Sequence, residues 1–221
     1  MSGSCSHTLC AVSSTRRPTL VLVGPPGSGK TTVGRILARR LGVPFADVDS
    51  IIVGRAGKPI ADMFLEDGED AFRALEREVV AQALVETEGV LALGGGSVLA
   101  AETRERLRGH RVVHLTVGVA DGLRRTGMST ARPLLAGVNP RATFRALLDA
   151  RAPLYKEVAT FEVDTVRRSA NEVVRAVLEV IGTVAANAPP EPVNPADPHD
   201  VPTRPDPRHA APLPDPTVRR G

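Results

Sequence analysis

The sequence predicts an α/β fold: a P-loop, three-layer architecture with helices on both faces of a five-stranded parallel sheet. Three observations predict it. The apolar run Thr19-Leu20-Val21-Leu22-Val23 leads into Gly24-Pro25-Pro26-Gly27-Ser28-Gly29-Lys30-Thr31, a full match to G-x-x-x-x-G-K-[ST]. Apolar residues at 33, 36, 37 and 41 then set a helical period. Four more short apolar runs alternate with helical stretches, as crossover units of a parallel sheet require.

Each element has its own signal. After the first strand and the helix to Leu41, Gly42-Val43-Pro44 supplies stop signals. Phe45-Ala46-Asp47-Val48-Asp49 reads as the second strand. Helical stretches are expected at about 50–56 and 60–66, then a longer one over 69–85 with Phe72, Leu75, Val79, Val80 and Ala83 as its apolar stripe. Val90-Leu91-Ala92-Leu93 is a buried third strand ended by Gly94-Gly95-Gly96; residues 111–115 and 160–164 are the fourth and fifth. Helices are expected at about 102–107, 119–125, 140–152 and 170–181. Ligands of such a sheet bind at the carboxyl ends of its strands.

Strand, glycine-rich loop and helix together make a phosphate cradle. Glycines let the backbone curl so that successive amides and the helix N-terminus aim at one anion. Pro25 and Pro26 carry no N–H, so the donors are expected to be Gly27, Ser28, Gly29, Lys30 and Thr31, with Thr32 completing the nucleotide site. The Lys30 ammonium reaches for β/γ-phosphates and the Thr31 hydroxyl for Mg²⁺. The strand at 90–93 ends in glycine rather than in the acid of a Walker B strand, so the carboxylate that positions magnesium must lie elsewhere. Asp47 and Asp49 are the best candidates, because i and i+2 of a strand share a face; solvated strand-end acids are the alternative. The segment 126–137, with Arg132, Pro133 and flanking glycines but no period, is expected to be a mobile lid carrying an arginine to the γ-phosphoryl, a mobile surface loop being the alternative.

Composition bounds the rest. Of the 221 residues, the last 33 hold eleven of the nineteen prolines and almost no large apolar side chain. Disordered tails are therefore expected at 1–17 and 183–221, around one folded domain at 18–182. The net charge is only +3, Trp is absent, and no basic run is interleaved with aromatics, so a nucleic-acid partner is not expected. Cys5 and Cys10 flank His7 in the N-terminal tail at a spacing unlike a zinc or redox motif. No apolar run is long enough for a membrane span. A cytoplasmic monomer without membrane contact is expected.

Taken together, G-P-P-G-S-G-K-T at 24–31, F-A-D-V-D at 45–49, I-A-D-M-F at 60–64, G-E-x-x-F-R-x-L-E at 68–76, L-G-G-G at 93–96, R-P-L-L at 132–135 and R-x-P-L-Y at 151–155 resemble shikimate kinase, a member of the nucleoside-monophosphate-kinase-like P-loop group. The resemblance implies transfer of the ATP γ-phosphoryl to the 3-hydroxyl of shikimate. It also implies roles. Arg73 and Arg151 match the pair gripping the substrate carboxylate, and Gly94, Gly95 and Gly96 the triplet lining that pocket. Asp49 matches the aspartate that holds the reacting hydroxyl and can accept its proton, and Asp47, beside Thr31, the one that positions the magnesium waters. Lys30 and Arg132 match charge-stabilising residues, Arg125 an arginine beside adenine, and Arg168 a nucleotide contact, although Arg167 is adjacent. Glu76 is placed to orient Arg73, a plain surface ion pair being the alternative. Two rivals stand beside this reading: a gluconate-kinase-like enzyme, and a non-catalytic nucleotide-binding module whose Pro-rich tail binds partners.

Overall fold

The computed structural model describes residues 18–126 and 139–187. The chain divides into a unit ending at Thr183 and a second beginning at Val184. Sheet and cleft belong to the first; of the second, only the last turn of the final helix is described. The tails and the 127–138 part of the expected lid, Arg132 included, lie outside the described residues.

Strands β1 (Pro18–Val23), β2 (Phe45–Asp47), β3 (Gly89–Ala92), β4 (Val112–Thr116) and β5 (Phe161–Asp164) form one sheet in the order β2-β3-β1-β4-β5, every pair parallel. Its helices are α1 (Lys30–Leu41), α2 (Val48–Ala56), α3 (Ile60–Glu66), α4 (Gly68–Glu86), α5 (Ala101–Leu107), α6 (Val119–Thr126), α7 (Pro140–Val158) and α8 (Ala170–Asn187). Because β1 lies at the centre, Leu20 to Val23 are buried on both faces. Val21 and Val23 join Leu91 and Val112 in a core with residues of α2, α4 and α7. Leu20 and Leu22 join Val90, Val113 and Leu115 in a second core with α1 and α8. Alternation along the strand thus feeds two cores and makes three layers.

Register places the chemistry along one edge. Leu22 pairs with Ala92, and Ala92 with Asp47, so the loop after β1, the glycine triplet after β3 and the acid ending β2 emerge side by side. The Leu93 amide donates to the Leu22 carbonyl at 3.0 Å, carrying the pairing one residue past β3.

Two expectations are corrected. The second strand does not run to Asp49. It stops at Asp47, whose side chain caps α2 by accepting from the Asp49 amide at 3.0 Å, and Val48 and Ile52 turn into the core. Asp49 therefore stands in the first turn of a helix, not on the strand face with Asp47. Likewise α7 does not end before Pro153 but continues to Val158. A proline inside a helix costs roughly 3 kcal/mol. Burial of Tyr155, with Leu154 and Val158 packed on the same core, offsets it at about 1.5–3 kcal/mol for each large side chain. The remaining helices fall near their expected places, with α1 beginning at the P-loop lysine, but α8 runs past the expected 181 to Asn187, into the segment expected to be a disordered tail.

Candidate active site

A cleft of about 880 Å³ opens along the carboxyl edge of the sheet. Gly27, Gly29, Lys30, Thr31 and Thr32 line one part of it, and Arg73, the glycine triplet and Arg151 another, with Asp47 and Asp49 among the lining.

The phosphate end is built from the loop after β1. Gly29 precedes α1 at φ 91°, a left-handed conformation that side chains resist, and so sets the helix axis toward the cleft. The first intrahelical bond runs from the Val33 amide to the Gly29 carbonyl, so the amides of Lys30, Thr31 and Thr32 are not used within the helix. Ser28 departs from expectation. It is buried, its amide donates to the Pro25 carbonyl at 3.2 Å inside the loop, and its hydroxyl has no partner among the described residues. The Lys30 ammonium lies 2.7 Å from the Gly24 carbonyl and 3.1 Å from that of Pro25.

Thr31 Oγ1 donates to Asp47 Oδ2 at 2.6 Å. A hydroxyl and a carboxylate at a helix N-terminus are hard oxygen donors, few in number, which suits magnesium shared with substrate phosphates. Among the described residues no group of three or more acids, histidines or cysteines forms an all-protein metal cage.

At the other end, Arg73 on α4 is held in place before any ligand is considered. Its Nη1 donates to Glu76 at 2.6 Å, its Nε and Nη2 to Glu69 at 3.2 Å, and its guanidinium lies 5.2 Å from the Phe72 ring centre. Glu76 is buried and accepts a second bond from Ser97 Oγ at 2.8 Å. It is thus no surface ion pair but a buried carboxylate tying Arg73 to the turn after the glycine triplet. Absent side chains make this possible. A Cβ on Gly94 would come within 2.8 Å of both Asp49 Oδ1 and Glu76 Oε1, and one on Gly96 would strike the Arg73 guanidinium. Arg151 on α7 donates to the Gly95 carbonyl at 2.9 Å, and Tyr155 donates to the same oxygen at 2.6 Å.

Arg125 on α6 also lines the cleft, fastened to the loop after β5. It donates to Thr165 Oγ1 at 2.9 Å and to the Thr165 carbonyl at 2.8 Å. Arg167 in that loop has φ 54°, and its amide donates to Asp121 at 3.2 Å, holding that carboxyl below its ordinary pKa. Arg168 is exposed and does not line the cleft, although its carbonyl accepts from Arg125 at 3.4 Å. Sequence reasoning brought most of these residues to one cleft but assigned no part to Ser97, Thr165 or Tyr155. For Tyr155 a signal existed: it stands one helical turn beyond Arg151.

The cleft thus has a P-loop helix N-terminus at one end and two guanidiniums held by protein acceptors at the other. On this sheet order, that cleft has the form of a P-loop kinase. Comparison with known proteins narrows the class. A profile of the shikimate kinase family matches residues 26–182. A shikimate kinase of Saccharopolyspora erythraea is 66% identical over 148 residues, 67% of this chain and 85% of that one. Among solved structures, shikimate kinase from Acinetobacter baumannii in complex with shikimate superposes with a TM-score of 0.73 at 39% identity, covering 77% of this chain and 95% of that one. A gluconokinase from Sinorhizobium meliloti is alike in fold alone, with a TM-score of 0.55 at 23% identity over 78% of this chain and 97% of its own. The chain belongs to the shikimate kinase family, ATP-dependent phosphotransferases acting on shikimate.

Proposed function

We propose that Arg73 and Arg151 grip the shikimate carboxylate while Lys30 and the amides of Gly27, Gly29, Lys30, Thr31 and Thr32 hold the ATP phosphates. The observation that carries this reading is that both guanidiniums are fixed by protein acceptors in the same cleft as the P-loop. A carboxylate between two such forks is met by paired, charge-assisted bonds. The Gly95 backbone approaches the same group. Asp49, beside Gly94, orients the 3-hydroxyl and accepts its proton as the γ-phosphoryl transfers. Thr31 and Asp47 would hold Mg²⁺, which would supply neutralising charge on the phosphates when bound. Lys30 and Arg132 stabilise charge on the transferring group, and Arg125 lies beside the base, with the Arg168 backbone behind it. Phosphoryl transfer asks for positioning and electrostatics more than covalent help, and this chain's residues supply both. A cytoplasmic monomer completes this reading.

The test is shikimate kinetics and ADP binding for Arg73→Lys and Arg151→Lys. Lysine keeps the charge, and so spares Glu76 an uncompensated burial, but it cannot make paired parallel bonds. Each variant should lose roughly tenfold or more in kcat/KM for shikimate while binding ADP like the wild type. Lost ADP binding with an unchanged shikimate KM would show the two ends of the cleft to be misassigned.

A further inference from the structure

We propose that Tyr155 is a positioning residue for the acid end of the cleft: its hydroxyl fixes the Gly95 peptide and, through the oxygen they share, the Arg151 guanidinium. This rests on the reading that Arg151 and the glycine triplet take the substrate carboxylate.

The Gly95 carbonyl accepts twice, from Tyr155 Oη at 2.6 Å and from Arg151 Nη1 at 2.9 Å. A carbonyl oxygen has two lone pairs, so the two donors saturate it. Arg151 and Tyr155 are four residues apart on α7 and so project from one face of that helix. Gly95 stands between two glycines, where the backbone itself imposes little preference. The two donors supply the constraint. Because a peptide is planar and trans, fixing the Gly95 carbonyl also fixes the Gly96 amide in the opposite direction. The Gly94 and Gly96 carbonyls are held in turn by the amides of Ser97 and Leu99, at 3.2 Å and 2.9 Å. All three carbonyls of the triplet are thus anchored, the middle one by α7.

The phenol is suited to the task. Its ring is buried and stacks on His114 of β4, with ring centres 4.8 Å apart and planes inclined by 20°. One end of the side chain is therefore set against the sheet and the other against the triplet. Burial pushes its pKa up to about 12, so the hydroxyl keeps its proton and remains a donor throughout the working range. Arg151 lines the cleft while Tyr155 lies behind it, so the tyrosine acts through its neighbours rather than on substrate.

Tyr155→Phe keeps the ring and the stack and removes only the hydroxyl. The shikimate KM should rise about three- to tenfold, with the ATP KM and kcat within about twofold of wild type, because the interaction lost serves substrate binding. In an Arg151→Lys background the same change should add little, since both residues act on one oxygen. A shikimate KM unchanged in Tyr155→Phe, equal rises in both KM values, or independent effects in the double variant would overturn the proposal. If Arg151→Lys raises the shikimate KM and Tyr155→Phe does not, the role of Tyr155 alone falls; if neither moves it, the pocket reading falls with it. A second measurement needs no variant. Tyr155 is the chain's one tyrosine and there is no tryptophan, so intrinsic emission reports this side chain alone. Shikimate should change that emission saturably and ADP alone should not; a flat response at saturating shikimate overturns the proposal.

Discussion

At the scale of single residues, Lys30 and Thr31 are both held by protein acceptors at the cleft wall. The ammonium rests on two loop carbonyls and the hydroxyl on Asp47, so the groups proposed to meet phosphate and magnesium stay hydrogen-bonded. Lys30→Met should lower kcat by about a hundredfold or more, the range seen when a stabiliser of transition-state charge is removed, with little change in melting temperature. Single-turnover kinetics beside a thermal melt checks both halves, and near-normal kcat would sink the assignment. Asp47→Asn keeps the cap on α2, because an amide oxygen still accepts from the Asp49 amide, but it removes a charge from the proposed magnesium site. The magnesium concentration giving half-maximal rate should rise severalfold, and chelation should silence both proteins. A titration superimposable on wild type would take Asp47 out of the metal site.

At the scale of elements, the sequence was most legible where burial sets a period and least where an end depends on distant contacts. Apolar runs revealed all five strands, and the P-loop pattern fixed the first helix. The second strand was read two residues too long, because an aspartate that caps a helix looks, within five residues, like one on a strand. Helix α7 was expected to end at 152, before Pro153, while the burial of Tyr155 that carries it on comes from elements far away in the chain. The bonds from Ser97 to Glu76 and from Tyr155 to Gly95 span 21 and 60 positions, beyond the reach of any local pattern. Packing between β4 and α7 also has a consequence for pH. Burial lowers the pKa of His114, Glu162 opposes this through a 3.1 Å contact, and Lys156 and Lys30 add to the lowering. The unfolded chain takes up this proton near the ordinary histidine value of about 6.5, before the folded protein does. Between the two values the unfolded state binds more protons, so stability rises with pH and is lost on acidification below about 6.5. Urea midpoints at about pH 7.5 and about pH 5.5 should differ less in His114→Phe, which keeps an aromatic partner for Tyr155, than in wild type. An equal drop in both proteins would remove His114 from the account.

At the scale of the whole molecule, the described elements build two cores, and the assigned residues other than Ser28, Arg132 and Arg168 lie along the cleft at the carboxyl edge of the sheet. The Pro-rich composition after α8 predicts no contribution to either core. Deleting residues 188–221 should leave kcat and melting temperature within error of the full chain; a fall of more than about 5 °C would mean that this segment packs on the domain.

Placing the first strand in the middle of a parallel sheet also decides when this chain can fold. Leu22 pairs with Ala92 on one side and Val113 on the other, so the most apolar strand emerges from the ribosome long before either neighbour exists. At synthesis rates of roughly 5–20 residues per second, it waits on the order of 5–20 s for its second partner. During that interval Leu20 to Val23 is an unpaired β-segment with both edges open, the kind of stretch that associates with other nascent chains. The architecture that sets the P-loop beside the glycine triplet therefore leaves this segment without its second partner until β4 has been made.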